Sequence, residues 1–123
     1  AISRGAASCV FLDRDRRAVD IVTKNCKAAG VFDRARVAQG EAEGFLAATK
    51  DTFHIVLLDP PYHHGTLAAI LPAVANVTAP GGTVLCESEL AADLPDECGG
   101  LHKKKQYRYG KVLVTRYEKE RAE

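Results

Sequence analysis

Methionine is absent from all 123 residues of the chain. A natural translation product starts with that residue, and the opening up to Gly5 is typical of the last turn of a helix followed by its glycine stop. We therefore expect the chain to be an N-terminally truncated fragment of a longer protein.

A strong net charge and a long apolar run are also lacking. The 17 Lys and Arg residues nearly balance the 16 Asp and Glu residues, so the formal net charge is +1. This excludes a global basic field, and any nucleic-acid surface must be local. No apolar run approaches the length of a membrane span, and no signal-peptide pattern is present. With 46% hydrophobic and 27% charged residues, the sequence predicts one folded, cytoplasmic domain over residues 1–123 that has no membrane partner.

Metal-ligand spacing is missing as well. None of the four cysteines belongs to a C-x-x-C or Cys/His pattern, which argues against a zinc site or a disulfide framework; they are Cys9, Cys26, Cys86 and Cys98. The pair His63-His64 has no evident third ligand, so we expect exposed loop histidines and no metal.

What is present is an alternation of short apolar strands and amphipathic helices, which predicts an α/β sheet with mostly parallel strands. Asp15 is placed to cap the first helix and Gly30 to end it. Pro72 should kink or restart the third helix. The predicted strands cover residues 7–12, 35–38, 53–58 and 83–87, and the predicted helices cover residues 16–29, a segment ending near 49, and 67–77.

The last third of the chain has a different pattern. Pro80-Gly81-Gly82 predicts a turn before the strand at residues 83–87. Two alternating runs, residues 101–109 and 111–117, flank Gly110 and predict an antiparallel hairpin. The fold class is therefore α/β, with a mostly parallel sheet finished by a C-terminal antiparallel hairpin.

Candidate functional residues follow three predicted strands. In an open α/β sheet, ligands bind beyond the carboxyl ends of the strands, so these groups should share one edge. Asp13 suits a ribose, because a carboxylate accepts bonds from both hydroxyls; the alternative is a solvated loop acid or a helix-capping residue, and Asp15 competes for either role. Glu41-Ala42 resembles a contact to an adenine edge, but an acid also favours a helix start. The third group is Asp59-Pro60-Pro61-Tyr62.

This tetrapeptide suits a flat ring that carries an exocyclic amine. Such an amine is a poor nucleophile because its lone pair is delocalised into the ring. The Asp59 carboxylate and the Pro60 carbonyl can each accept one N–H bond, which frees the lone pair for attack on a methyl sulfonium. Pro60 and Pro61 stiffen the loop, and Tyr62 can stack on the base. The alternative is an ordinary strand-to-loop exit, where prolines and acids are frequent.

Taken together, these residues resemble the RsmD-like family of bacterial 16S rRNA guanine-N2 methyltransferases, which have a Rossmann-like fold. The tetrapeptide alone also occurs in amino-methyltransferases that act on DNA adenine, and the first and last matching segments favour the rRNA family. The matching residues are Ser3-Arg4-Gly5-Ala6, Val10-Phe11-Leu12-Asp13 with Asp15, Asp59-Pro60-Pro61-Tyr62, Glu87 with Glu89, and Tyr109-Gly110.

The resemblance implies S-adenosylmethionine as cofactor, 16S rRNA or the small ribosomal subunit as partner, and a monomer. It implies that Asp59 and Pro60 hold the target amine, that Tyr62 stacks on the guanine, and that Asp13 binds the cofactor ribose. The family carries a strand and a Gly-rich cofactor loop directly before the Ser3-Arg4-Gly5-Ala6 segment. We therefore expect residues 1–123 alone to bind cofactor weakly and not to turn over, and a micromolar affinity would refute this.

One concentrated basic stretch lies outside the tetrapeptide. Alternation along a strand predicts that Lys103, Lys105, Tyr107 and Tyr109 share a face. With Arg108 they suit a phosphate-contacting edge, or alternatively an edge strand that lysines protect from aggregation. Arg4, near the start of the chain, suits an RNA contact or a helix end.

Two other functions fit the same residues. An adenine-N6 DNA methyltransferase would use the same tetrapeptide, although such enzymes usually carry a sizeable target-recognition region. A non-catalytic RNA-binding module that keeps the fold is the alternative from another class.

Overall fold

The computed structural model describes residues 9–13, 15–40, 42–58, 66–90 and 94–121. The chain divides into two compact units, residues 1–48 and 49–123. Within the described ranges, no helix combines the length and the apolar character that crossing a membrane requires.

The first unit contains a two-stranded parallel sheet. Its elements are β1 (Cys9–Asp13), α1 (Arg16–Ala28), a 3-10 turn (Phe32–Arg34), β2 (Ala35–Gln39) and α2 (Ala42–Ala48). The Asp15 side chain accepts a bond from the backbone N–H of Arg17 at 2.9 Å, which confirms the predicted cap. Gly30 follows α1 with a φ of 74°, a conformation that ends helices and that glycine adopts without strain.

The second unit contains a five-stranded sheet in the order β3-β4-β7-β6-β5. β3 and β4 are parallel, and the remaining pairs are antiparallel. Parallel pairing followed by an antiparallel hairpin confirms the predicted fold class. The elements are β3 (Phe53–Leu58), α3 (Thr66–Val77), β4 (Thr78–Glu89), β5 (Glu97–Cys98), β6 (Leu101–Tyr109) and β7 (Val112–Lys119).

α3 covers one face of this second sheet. The Lys119 ammonium on β7 donates to the Ala75 carbonyl of α3 at 2.7 Å and to the Gly99 carbonyl at 2.9 Å. α3 continues through Pro72 to Val77. Burial of apolar side chains between the helix and this face stabilises the unit. The fully buried residues with large side chains are Leu71, Val74, Val84, Cys86, Leu101, Thr115 and Tyr117.

The Pro80-Gly81-Gly82 segment differs from its prediction. It does not separate α3 from a strand but lies inside β4, where the register shifts: Phe53 pairs with Thr78, whereas Ile55 pairs with Thr83. A Cβ atom on Gly82 would lie 2.8 Å from the Ala79 carbonyl oxygen. Glycine is therefore needed there because the backbone folds closely on itself.

The C-terminal hairpin agrees with its prediction. Tyr109 pairs with Val112, so a two-residue turn joins β6 to β7. Gly110 opens that turn with a φ of 60°. A tight hairpin turn of this kind favours glycine at its first position.

Candidate functional site

The carboxyl ends of β1 and β2 lie side by side. Asp13 is the last residue of β1 and pairs with Gln39, the last residue of β2. Glu41 lies outside the described residues, and Ala42 is the first residue of α2. The backbone of Asp13 therefore lies beside the end of β2, the strand that precedes Glu41 in the sequence.

The third strand-end group follows β3. The strand ends at Leu58, the residue before Asp59, and its bounds match the prediction. Asp59-Pro60-Pro61-Tyr62, His63-His64 and Arg4 lie outside the described residues. Leu58 pairs with Cys86, and the parallel neighbour β4 continues for three residues past Cys86 to Glu89.

The tip of the C-terminal hairpin reaches the same edge of the second sheet. Glu89 pairs with Val112, and Val112 pairs with Tyr109. The turn at Gly110 and Lys111 therefore lies beyond the carboxyl end of β4, at the same end of the sheet where β3 ends at Leu58. The basic stretch is evident in the sequence, but its position in the sheet is not, because that position depends on the strand order.

The predicted common face for Lys103 and Lys105 is wrong. A register shift falls between them: Lys103 pairs with Tyr117, whereas Lys105 pairs with Arg116. Arg116 and Tyr117 are consecutive residues of β7, so their side chains point to opposite faces of the sheet. Lys103 and Lys105, which pair with them, therefore also point to opposite faces. Lys104 is the extra residue of a β-bulge, which interrupts the alternation on which the prediction rested.

Lys103 consequently lies on the face of the buried Tyr117. Its ammonium donates to the Leu94 carbonyl at 2.9 Å and lies 3.1 Å from the Asp96 carboxylate. Its side chain is 20% exposed. These contacts hold the segment before β5, so Lys103 has a structural role that no sequence signal revealed.

Lys105 lies on the opposite face with Tyr107 and Tyr109. The Lys105 Nζ is 5.0 Å from the centre of the Tyr107 ring, a cation–π distance. Arg108 pairs with Leu113 and faces the other way, and its Nε donates to the Gly110 carbonyl at 3.2 Å. The bulge thus leaves one lysine and two tyrosines together near the hairpin tip.

Two groups in the second unit have raised pKa values, and both belong to the core. Burial raises the pKa of the Cys86 thiol from 9.0 to about 12. Burial also raises the pKa of Tyr117, whose hydroxyl donates to the Pro95 carbonyl at 2.7 Å. Three cysteines of the described chain, Cys26, Cys86 and Cys98, are free thiols. No three His, Cys, Asp or Glu residues in the described ranges gather as a metal site.

Two curated relatives connect the chain with rRNA methyltransferases. It is 33% identical over 124 residues to the Bacillus subtilis protein named "Putative rRNA methyltransferase YlbH", covering 97% of this chain and 67% of that protein. It is 31% identical over 61 residues to the "Ribosomal RNA large subunit methyltransferase K/L" of Pseudomonas putida, covering 50% of this chain and 8% of that protein.

Solved structures share the fold. A "conserved hypothetical protein" of Streptococcus pyogenes matches with a TM-score of 0.90 and 32% identity, covering 98% of this chain and 76% of that one. An RNA methyltransferase from Salinibacter ruber, in complex with S-adenosyl-L-homocysteine, matches in fold with a TM-score of 0.64 and 20% identity, covering 92% of this chain and 66% of that one.

The family model described as "Conserved hypothetical protein 95" matches residues 1–118. This match confirms the resemblance to RsmD-like enzymes that the sequence motifs indicate. The chain therefore belongs to the Conserved hypothetical protein 95 family, and it has the Rossmann-like fold of S-adenosylmethionine-dependent methyltransferases.

Proposed function

We propose that the protein transfers a methyl group from S-adenosylmethionine to the exocyclic N2 amine of a guanine in 16S rRNA. One observation carries the proposal: Asp59-Pro60-Pro61-Tyr62 directly follows β3, a parallel strand of the second sheet, in a member of this family. Ligands of open α/β sheets bind beyond the carboxyl ends of such strands. The position of the tetrapeptide in the sequence, directly after such a strand, therefore supports a catalytic role.

In the proposed reaction, the tetrapeptide binds and orients the amine. The Asp59 carboxylate and the Pro60 carbonyl accept its two N–H bonds, so the nitrogen lone pair is directed away from the ring. Pro61 keeps the loop rigid, which reduces the reorganisation that accompanies the reaction. Stacking of Tyr62 on the guanine contributes roughly 1–3 kcal/mol to binding.

Strand ends of the first unit suit the cofactor. Asp13 is the last residue of β1 and its backbone pairs with Gln39 of β2, and a carboxylate at the end of a parallel strand can accept bonds from both hydroxyls of a ribose. We assign Asp13 to the ribose, Glu41 and Ala42 to the adenine edge, and Asp59 to cofactor binding as well as to the amine. When bound, S-adenosylmethionine supplies the methyl group as a sulfonium.

Basic residues of the chain are proposed to contact the RNA backbone. Lys105 and Arg108 lie near the hairpin tip on opposite faces, and Arg4 belongs to the segment shared with the family. Lys103 is left out, because its ammonium is bonded to the Leu94 carbonyl. We further propose one methyltransferase domain over residues 1–123, acting as a cytoplasmic monomer on 16S rRNA or the small subunit.

A methyl-transfer assay with the full-length gene product tests the substrate. Labelled S-adenosylmethionine is supplied with small ribosomal subunits, large ribosomal subunits or duplex DNA. Label on N2 of a guanine in 16S rRNA is the expected result. Label in large-subunit RNA or on DNA adenine would overturn the substrate assignment, and no label in any arm would favour a non-catalytic RNA-binding module.

A matched pair of variants tests the mechanism. Asp59→Ala removes an acceptor for the target amine and should lower the rate by at least about 100-fold, as loss of one pre-organised hydrogen-bonding group does. Asp51→Ala removes an exposed carboxylate before the other end of β3 and should leave the rate unchanged. Wild-type activity in a folded Asp59→Ala protein would refute the role of Asp59.

A further inference from the structure

We infer that the tip of the β6–β7 hairpin holds an unpaired stretch of the RNA substrate, with Tyr107 and Tyr109 stacking on bases and Lys105 and Lys111 contacting phosphates. The identification of the ligand as RNA rests on the proposed function. The surface itself is defined by the register of the second sheet. We call the side of this sheet opposite α3 the open face; it carries Lys105, Tyr107 and Tyr109.

A pair of aromatic rings on β6, Tyr109 exposed and Tyr107 partly exposed, is the first observation. Tyr109 is 65% exposed, whereas Tyr117 on β7 is fully buried and bonded to the Pro95 carbonyl. Tyr107 and Tyr109 occupy alternate positions of one strand, so their side chains share a face about 7 Å apart. Two neighbouring rings held on a strand form a platform on which successive unstacked bases can lie.

The local charge is the second observation. Residues 101–111 contain five basic residues and no acidic residue, although the whole chain carries a formal net charge of only +1. One of the five, Lys103, is engaged with Leu94 and Asp96, so the bulge separates it from the others. The basic side chains near the two rings complement the negative charge of a phosphate backbone, which an apolar or basic partner would not provide.

The place of the tip relative to β3 is the third observation. β6 lies three strands from β3, which amounts to roughly 14 Å at the usual strand spacing. One row of paired residues crosses the sheet and contains Leu58, Cys86, Thr115 and Gln106. Tyr109 lies three residues beyond Gln106 on β6, which is about 10 Å further along the strand direction. The tip therefore flanks the strand end that leads to Asp59, at a separation that a few nucleotides span.

Unpaired RNA is the ligand that fits all three observations. Bases within a duplex are stacked on each other and cannot lie on a tyrosine ring, whereas splayed bases of loops and single strands can. Methylation of an exocyclic amine also needs a base that is accessible outside the stack. The platform would hold nucleotides beside the target and so position it at Asp59.

Affinity measurements on the full-length gene product test the inference. The probe is a fluorescent unpaired RNA of about 12 nucleotides, compared with a duplex RNA and a DNA strand of the same sequence. Tyr109→Ala should weaken binding of the unpaired RNA about 5- to 150-fold, the loss expected for one stacked base. Tyr109→Phe keeps the ring and should bind close to the wild type.

A second pair of variants separates the phosphate contacts from the overall charge. Lys111→Ala should reduce the salt dependence of log affinity by about 0.7, as loss of one single-strand phosphate contact does. Lys50→Ala removes an exposed lysine before the amino end of β3, at the opposite edge of the sheet, and should leave that dependence unchanged.

The outcomes separate this inference from the proposed function. If Asp59→Ala abolishes methyl transfer but Tyr109→Ala binds the probe like the wild type, the proposed role of the tyrosines is refuted and the proposed reaction is supported. If no substrate is methylated but Tyr109→Ala weakens binding of the probe, the proposed role of the tyrosines is supported and the proposed reaction is refuted. Equal or tighter binding of duplex RNA or DNA, or no binding of the unpaired RNA, overturns the inference.

Discussion

Exchange of Lys103 and of Lys105 for methionine should have opposite effects, although the two residues are separated by one position. Methionine keeps a flexible apolar stem and removes the ammonium. We expect Lys103→Met to lower stability while leaving RNA affinity almost unchanged. We expect Lys105→Met to lower RNA affinity while leaving stability almost unchanged.

The loss of stability in Lys103→Met follows from the contacts of the ammonium. Its bond to the Leu94 carbonyl at 2.9 Å is charge-assisted and shielded, and such bonds contribute about 1.5–3 kcal/mol. The pair with Asp96 adds at most about 1 kcal/mol, because the Asp96 side chain is 93% exposed. The free energy of unfolding should therefore fall by about 1.5–4 kcal/mol.

The small effect of Lys105→Met on stability follows from exposure. Lys105 is exposed, and its contact with the Tyr107 ring at 5.0 Å contributes about 0.5–1 kcal/mol at such a site. Loss of one phosphate contact should instead reduce the salt dependence of log affinity for unpaired RNA by about 0.7.

Urea unfolding and RNA titration on both variants check these values. A loss of about 2 kcal/mol shifts the urea midpoint by about 1 M when the dependence on denaturant is unchanged. Equal midpoints for the two variants, or a larger stability loss in Lys105→Met, would refute the register assigned to β6. An equal change of salt dependence in both variants would refute the division of the two lysines between faces.

Two further predictions concern the second unit, and the control for one of them lies in the first unit. Gly82→Ala should destabilise the protein by about 1–3 kcal/mol in urea unfolding, because its Cβ would lie 2.8 Å from the Ala79 carbonyl oxygen. The control Gly44→Ala, which lies in open space on α2, should leave stability unchanged or raise it by up to about 1 kcal/mol. Equal changes in the free energy of unfolding for the two variants would contradict the bulge geometry. Burial raises the pKa of the Cys86 thiol from 9.0 to about 12, so the unfolded chain releases that proton at a lower pH than the folded protein does. The free energy of unfolding should therefore fall as pH rises from 9 toward 12, by up to about 1.4 kcal/mol per pH unit. Cys86→Ala should flatten this decline in unfolding curves measured across that range, and an unchanged slope would exclude the thiol as its source.

Local features were predictable because their causes lie within a few residues. The bounds of β3 followed from an apolar run between polar flanks, and the cap of α1 followed from Asp15. The turn of the C-terminal hairpin followed from Gly110, which adopts a positive φ without strain. Each depends on the chain's own backbone preferences and needs no distant partner.

Features that depend on pairing with a distant strand were not predictable. Pro80-Gly81-Gly82 carries the composition of a turn, yet pairing with β3 draws it into β4 as a bulge. The alternation through Lys103 and Lys105 likewise looked regular, and only pairing with β7 inserts Lys104 as an extra residue. A strand's register is set by its neighbour, and a shift of one position exchanges the two faces.

The sequence by itself determined the chemistry that the chain offers: a carboxylate, two prolines and a tyrosine after an apolar strand, and a basic stretch with tyrosines near the C-terminus. These assignments depend only on residue type and order along the chain. The tertiary structure alone decided that the hairpin tip stands at the edge to which β3 leads, and that one of two similar lysines stabilises the fold while the other faces outward. The physical reason is that strand order and register arise from hydrogen bonds between segments far apart in the chain, which no short stretch of residues encodes.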